Sequence, residues 1–138
     1  MNKPPQKILF ICYGNMCRSP MAEGLAKAIL DGRAHVESAG IAPSRNRAPH
    51  EAIEVMKNEF SIDISNHRPR AVSDIDVIPF DTLIALDVYV YNHLKRDQRI
   101  NPERLILWDI DDPYRSSIDV YRECAFHIRR CVEGLVGG

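Results

Sequence analysis

Short, almost continuously apolar runs occur along the chain at residues 7–12, 82–86 and 105–108. Runs of this length, rich in Ile, Leu and Val, are typical of strands that are buried on both faces of a sheet. The pattern therefore predicts three buried strands, and a further short strand is predicted at 36–39. Much longer stretches of chain separate the four.

Helical periodicity marks most of these longer stretches. Residues 19–31, 48–60 and 117–135 place apolar side chains three and four positions apart, so that they share one helix face, and a shorter helix is predicted over 88–96. Strand and helix alternate, which predicts an α/β fold. We expect a single domain over residues 1–138, with a mainly parallel four-stranded sheet, helices on both faces and a phosphate loop after the first strand.

Composition and charge narrow the range of partners. The chain has 138 residues, of which 45% are hydrophobic and 27% charged, as in an ordinary globular domain. Its 18 basic residues nearly balance its 19 acidic ones, so no general basic field attracts nucleic acid or a membrane surface. Residues 1–7 are polar and the apolar run at 8–12 is too short for a secretory signal, so a cytoplasmic location is expected.

The four cysteines do not form a metal-binding pattern. Cys12, Cys17, Cys124 and Cys131 show neither CxxC pairs nor the Cys/His spacing of a zinc site, so no metal or other cofactor is expected. Cys124 and Cys131 lie seven residues apart on the last predicted helix, about 10 Å along its axis. That separation is too long for a disulfide, and core packing is their predicted role.

The loop between the first predicted strand and helix is the most informative segment, with the sequence CYGNMCRS from Cys12 to Ser19. Backbone N–H groups at a helix N-terminus are unpaired, and the helix dipole favours an anion there. Gly14 is expected to let the loop curl without a Cβ clash, and Asn15 tolerates left-handed backbone angles. Such a loop can cradle a phosphate, although it lacks the Gly-Lys-Ser/Thr of a nucleotide-binding loop.

The two ends of this loop carry complementary chemistry. Cys12, at the mouth of an anion-binding loop, is expected to be a thiolate and hence a nucleophile. Arg18 can bind two oxygens of one phosphate with its guanidinium group. Cleavage of a phosphate ester also needs a proton donor, and Asp109, Asp111 and Asp112 are candidates. Asp112 precedes a proline, which favours an extended conformation on a turn.

The motif Cys-x-Gly-Asn-x-Cys-Arg-Ser-Pro resembles that of the low molecular weight protein tyrosine phosphatase family. Ser-Ala-Gly at 38–40, His-Arg-Pro-Arg at 67–70 and Asp-Pro-Tyr at 112–114 follow in the family's order, so that the likeness covers nearly the whole chain. The resemblance implies metal-free hydrolysis of phosphotyrosine or a related aryl phosphate ester through a phosphocysteine intermediate. It selects Asp112 as the general acid, beside Cys12 and Arg18.

The resemblance also assigns roles around the loop. It implies that substrate and phosphate are bound by Tyr13, Gly14, Asn15, Met16, Cys17 and Tyr114. Ser19 would donate a hydrogen bond to the Cys12 thiolate, and Ser38 and His67 would brace the loop from behind. The expected partners are a phosphotyrosyl protein or a small aryl phosphate, and a tyrosine kinase whose phosphorylation the protein reverses.

The segment after Gly40 departs from the family pattern. It lacks the aromatic residue that lines the substrate slot in relatives and carries Arg45 and Arg47 instead. Arg115 follows Tyr114 at a position where relatives often have glycine or a second aromatic residue. This basic rim would suit acidic phosphopeptides.

Three alternatives stay open beside tyrosine phosphatase activity. Related protein arginine phosphatases carry Thr where this chain has Met16. Related thioredoxin-coupled arsenate reductases pass a disulfide from the loop cysteine to two further cysteines, but no cysteine lies between Cys17 and Asp112. A non-catalytic phosphoprotein-binding module should lack the nucleophile or the acid. A regulatory disulfide between Cys12 and Cys17 is a further hypothesis, because a nearby thiol can protect an oxidised cysteine.

Overall fold

Four strands alternate with four helices in residues 6–137, the part of the chain that the computed structural model describes. The strands are β1 (Gln6–Cys12), β2 (Ala34–Gly40), β3 (Thr82–Ala85) and β4 (Leu105–Leu107), and the helices are α1 (Arg18–Leu30), α2 (His50–Phe60), α3 (Val88–Lys95) and α4 (Ile118–Gly137). Two short 3₁₀ turns lie at Val72–Asp74 and Pro102–Arg104. The predicted elements are thereby confirmed in type and order. The predicted domain limits of 1–138 extend beyond the described residues at both ends.

The strands form one parallel sheet in the order β2-β1-β3-β4. β1 is central, and its register with β2 runs from Gln6 opposite Ala34 to Cys12 opposite Gly40. Since all strands point the same way, their carboxyl ends lie at one edge of the sheet, where such folds bind ligands. Cys12 is the last residue of β1 and therefore lies at that edge.

Each face of the sheet has its own hydrophobic layer. Ile8 and Phe10 of β1 point into a layer that also contains buried residues of α1, α2 and α4. Leu9 and Ile11 point to the opposite face, where α3 and the segment 72–80 cover them. Alternate residues of a strand point to opposite faces, so a continuous apolar run is what this burial requires. The prediction of helices on both faces is confirmed.

The helices are placed by their apolar stripes. α4 carries Tyr121, Ala125, Ile128 and Val132, all buried, along the face that packs on α1 and α2. α2 begins two residues later than its periodicity indicates, because Pro49 takes an extended conformation and serves as its N-cap. Within residues 6–137, none of the helices combines the length and apolar character needed to cross a membrane.

Candidate active site

The loop that joins β1 to α1 lies at the carboxyl edge of the sheet. Cys12 ends the strand, and Arg18 is the first residue of the helix. Cys17, the N-cap of α1, makes no side-chain capping hydrogen bond. The first-turn N–H groups of α1 therefore have no side-chain acceptor at the N-cap, and with the positive end of the helix dipole they favour an anion.

The side chain of Asn15 fixes the shape of this loop. Asn15 is fully buried and adopts a left-handed φ of 54°, which asparagine tolerates better than most residues. Its Nδ2 donates to Ser19 Oγ (2.8 Å) and Ser38 Oγ (3.0 Å), and its Oδ1 accepts from the backbone N–H of Arg70 (3.0 Å). Its backbone oxygen lies 2.7 Å from Nε2 of His67. Four residues from three segments of the chain therefore hold one loop residue.

Cys12 is almost completely buried beneath the loop, with 3% of its surface exposed. Its Sγ lies 3.0 Å from Oγ of Ser19 and accepts a hydrogen bond from the backbone N–H of Asn15 at 3.2 Å. Hydrogen bonds donated to a thiolate stabilise the charged form. The contacts that the resemblance implied for Ser19, Ser38 and His67 are all present in the structure.

Arg18 is buried as well, and its guanidinium group joins three segments. Nη1 donates to the carbonyl oxygens of Ile110 (2.9 Å) and Leu86 (3.3 Å) and to Oδ2 of Asp87 (2.9 Å). Nη2 lies 3.7 Å from Oδ2 of Asp112. The Arg18 side chain is thus fixed on one side. Its second terminal nitrogen faces the loop 108–117 between β4 and α4, which carries Asp109, Asp111 and Asp112 and is called the acid loop here.

The surroundings of Arg18 keep its charge. Burial by itself would lower the pKa of the guanidinium group, but Cys12 and the carboxylates of Asp112 and Asp87 raise it, and the net shift is upward. A buried cation that is paired in this way is a fixed positive charge beside the nucleophile. It can bind an anion without changing its own protonation.

Asp112 is the carboxylate that the acid loop presents to this site. Its side chain is half exposed, and its Oδ1 accepts a hydrogen bond from the backbone N–H of Tyr114 at 3.1 Å. Among the three candidate acids, Asp112 lines a cavity together with Cys12, whereas Asp109 and Asp111 do not.

A cavity of about 200 Å³ brings most of the candidate residues together. Its lining consists of loop residues, two residues that follow β2, and the acid loop: Cys12, Tyr13, Gly14, Met16, Cys17, Arg18, Ala42, Ser44, Asp112 and Tyr114. Asn15, Ser19, Ser38 and His67 lie behind the loop instead. A larger cleft of about 690 Å³ is lined by Ser38 and His67 but not by Cys12, so its size does not make it the reactive site.

Gly14 was expected to be the residue that avoids a Cβ clash in the loop, and this expectation is wrong. Gly40 is the residue at which a Cβ atom would clash. A Cβ atom on Gly14 would make ordinary contacts with Met16, the nearest at 3.7 Å, so the loop would tolerate one. A Cβ atom on Gly40 would lie 2.8 Å from the backbone nitrogen of Asn15 and 2.9 Å from the backbone oxygen of Tyr13. The end of β2 presses directly on the loop, and only glycine allows that approach.

Burial raises the pKa of each of the other three cysteine thiols. Cys17 lines the cavity, its Sγ lies 3.6 Å from the hydroxyl of Tyr121, and burial raises its pKa to about 12. Burial likewise raises the pKa of Cys124 to about 12, and its Sγ donates to the backbone oxygen of Asp111 at 3.7 Å. Cys131 packs against the core. Disulfide formation between Cys12 and Cys17 stays a prediction.

Asp87 is a site residue that the sequence analysis did not find. Its Oδ1 accepts from the backbone N–H of Val90 at 2.8 Å and caps α3, while its Oδ2 binds Arg18. An aspartate directly between a buried strand and a helix is a recognisable N-cap signal. Its ion pair with Arg18, 69 residues away in sequence, has no local signal.

The geometry suits nucleophilic attack on a tetrahedral oxyanion: a buried cysteine, an uncapped helix N-terminus and a fixed arginine surround one small cavity. A family model described as low molecular weight phosphotyrosine protein phosphatase matches residues 7–137. The chain belongs to this family, which confirms the resemblance found in the sequence.

Individual relatives include both phosphatases and arsenate reductases. An arsenate reductase of Staphylococcus aureus is 57% identical over 134 residues, covering 93% of this chain and 94% of the relative. A probable low molecular weight protein-tyrosine-phosphatase, EpsP, of Ralstonia solanacearum is 34% identical and covers 94% and 92%. The crystal structure of a low molecular weight protein tyrosine phosphatase from T. tengcongensis superposes with a TM-score of 0.88 at 29% identity, over 96% of this chain and 98% of that one.

We predict that Gly40→Ala weakens the binding of inorganic phosphate by at least about tenfold, because the new Cβ displaces the backbone at Asn15 and Tyr13. Titration calorimetry measures the affinity. Gly134→Ala is the matched control, since a Cβ atom there meets nothing within 4 Å. The control should bind phosphate normally and gain about 0.5–1 kcal/mol of stability from better helix propensity. Equal phosphate affinity in the two variants would contradict the close approach.

Proposed function

We propose that the protein is a cysteine-dependent phosphatase that hydrolyses phosphotyrosine or related aryl phosphate esters. The observation that carries this proposal is the convergence of Cys12, Arg18 and Asp112 on one cavity of about 200 Å³. Each group is fixed by different segments of the fold, so their meeting does not follow from local sequence. Cleavage of a phosphate ester requires a nucleophile, a group that binds the phosphate oxygens and a proton donor.

The reaction proceeds in two displacements. The Cys12 thiolate attacks phosphorus, a sulfur–phosphorus bond forms, and the bond to the ester oxygen breaks while Asp112 gives that oxygen its proton. Asp112, now a carboxylate, then takes a proton from water, and the hydroxide attacks phosphorus and releases inorganic phosphate and the thiolate. Arg18 and the first-turn N–H groups of α1 bind the equatorial oxygens throughout.

The cavity walls favour an aryl group over a small alkyl group. Met16 is apolar and 9% exposed, and the rings of Tyr13 and Tyr114 stand at the rim with 48% and 36% exposed. Tyr13 also packs on Tyr89, with the ring centroids 5.8 Å apart. These rings supply aromatic surface that the segment after Gly40 lacks.

The biological setting belongs to the proposal as well. A phosphotyrosyl protein as substrate implies a tyrosine kinase that produces it, and the kinship with EpsP, a probable protein-tyrosine-phosphatase, agrees with a phosphotyrosyl substrate. The four cysteines are all free thiols, which suits a reducing compartment, and we place the protein in the cytoplasm. Because Arg18 and the loop supply the positive charge, the proposed reaction needs no metal.

Arsenate reduction is the second candidate, since a relative with 57% identity carries that name. Reduction of arsenate takes two electrons, which a pair of thiols gives up as it becomes a disulfide. Besides Cys12, this chain has Cys17, Cys124 and Cys131, and burial raises the pKa of all three thiols, to about 12 for Cys17 and Cys124. A protonated thiol is a poor attacking group, and this disfavours the arsenate reaction.

Cys12→Ser should retain the fold and the phosphate affinity but less than about one thousandth of the wild-type turnover, because a serine hydroxyl stays protonated. Steady-state hydrolysis of a phosphotyrosyl peptide measures the rate, and rapid quench of the wild type should trap phosphate on sulfur. Cys131→Ser is the control and should keep full activity. Substantial turnover by Cys12→Ser would remove Cys12 as the nucleophile and overturn the proposal.

Asp112→Asn should lower kcat by roughly 10²–10⁴ for phenyl phosphate, whose leaving group needs a proton. The loss should be much smaller for p-nitrophenyl phosphate, whose leaving group is stable as an anion. Asp109→Asn and Asp111→Asn serve as controls, because neither side chain lines the cavity. If Asp112→Asn slowed both substrates equally, the acid would have to be another group.

A side-by-side assay separates the candidate substrates. Wild-type protein should hydrolyse a phosphotyrosyl peptide much faster than phosphoseryl or phosphoarginyl peptides, since the apolar Met16 and two rings line the cavity. With arsenate, thioredoxin, thioredoxin reductase and NADPH, little NADPH should be consumed. Arsenate-dependent NADPH consumption faster than phosphotyrosine hydrolysis would make arsenate reduction the main activity.

A further inference from the structure

A second cleft opens directly beside the phosphate cavity. It measures about 630 Å³ and shares Met16 and Tyr114 with that cavity, so the two spaces adjoin at these side chains. Arg45 and Arg47, from the segment between β2 and α2, form its basic wall. A substrate with its phosphorylated side chain in the cavity would therefore extend neighbouring residues along this cleft.

The arginines of this cleft have no internal counter-charge. Arg45 and Arg47 are exposed, and no carboxylate of residues 6–137 lies within 4 Å of either guanidinium group. By contrast, Arg70 and Arg122 are paired with glutamates of this chain. Glu51 is the single acidic residue among the residues that line the cleft, so the cleft keeps a net positive charge.

Tyr114 lies where the cavity and the cleft meet, and two arginines contact its side chain. Its hydroxyl accepts from Nη2 of Arg45 at 3.5 Å, and the guanidinium carbon of Arg115 lies 5.4 Å from its ring centroid. The contacts with Arg115 first and Arg45 second lower the pKa of the Tyr114 phenol. Two cations thus flank the side chain that separates the phosphate from the cleft.

The backbone of Arg115 adopts a conformation that is unfavourable for residues other than glycine. Arg115 has a φ of 65°, in the left-handed region that glycine enters freely and other residues seldom adopt. Strained residues of this kind persist only where the surrounding structure holds them, and they cluster at functional sites. The N-cap of α2, Pro49, also lines the cleft and offers no side-chain acceptor, so the open end of this helix adds to the positive potential.

We propose that this cleft binds the carboxylate of an aspartate or glutamate next to the phosphorylated residue, and that the protein selects acidic phosphopeptides. Arg45 and Arg47 hold the carboxylate, and Arg115 strengthens the field at the entrance. The inference rests on the proposed phosphatase activity, because a phosphorylated residue in the cavity places its neighbours in the cleft.

Two phosphotyrosyl peptides of equal length test this proposal, one with aspartates flanking the phosphotyrosine and one with asparagines. We expect kcat/KM of the wild type to be about fivefold to tenfold higher for the acidic peptide at low salt. Most of that preference should vanish in about 0.5 M NaCl, because these exposed charges are screened. Equal kcat/KM for the two peptides at low salt would overturn the proposal.

Charge-changing variants locate the preference in the cleft. The double variant Arg45→Glu/Arg47→Glu should favour the asparagine peptide. Arg130→Glu changes an exposed arginine of α4 that does not line the cleft, and it should leave the ratio unchanged. Arg115→Gly should reduce the ratio without lowering the melting temperature, since glycine accepts the backbone angle. If the double variant kept the wild-type ratio, the acidic preference would arise elsewhere and the assignment to this cleft would fail.

The same assay distinguishes failure of this inference from failure of the proposed function. A wild type that hydrolyses neither peptide would contradict the phosphatase activity itself. A wild type that hydrolyses both at one rate would leave the phosphatase activity standing and remove only the acidic preference.

Discussion

The buried guanidinium group of Arg18 is the interaction on which the rest of the site depends. A charge that is 3% exposed is stable only where fixed protein groups replace water. Here those groups are two carbonyl oxygens and the carboxylate of Asp87, all from segments that follow β3 and β4. Removing one partner of such a buried ion pair costs about 3–5 kcal/mol. The need to satisfy Arg18 therefore fixes the acid loop relative to Cys12 at the end of β1.

Asn15 holds the loop in position, as Arg18 holds the segments after β3 and β4. It does so through neutral hydrogen bonds and not through charge. Its side chain joins the helix start, the end of β2 and the segment at Arg70, so the protein's own hydrogen bonds hold the loop in this shape. Gly40 permits this arrangement because β2 approaches the loop more closely than any Cβ atom allows. A loop that is already in its binding shape loses little entropy when an anion arrives.

Much of this organisation can be predicted from the sequence, and the exceptions share one physical origin. Periodicity is local, so the four strands, the four helices and the positions of Cys12 and Arg18 follow from it. The partners of Arg18 and Asn15 are not local: Asp87 lies 69 residues from Arg18, and Arg70 lies 55 residues from Asn15. The error over Gly14 has the same cause. A loop's own composition shows which residues can bend, but not which neighbouring strand presses on it.

The charge balance around Arg18 also distinguishes its two carboxylate partners. Arg18 contacts Asp87 and Asp112 together, so two carboxylates of this chain balance the cation. Asp87 is held by Arg18 at 2.9 Å and by the backbone N–H of Val90 at the start of α3, whereas Asp112 is half exposed and lies 3.7 Å from the guanidinium group. A phosphate group in the cavity would bring its own negative charge to Arg18, and the longer contact with Asp112 is the one that it can replace. Asp87 therefore keeps Arg18 in position, while the carboxylate of Asp112 lies accessible at the cavity.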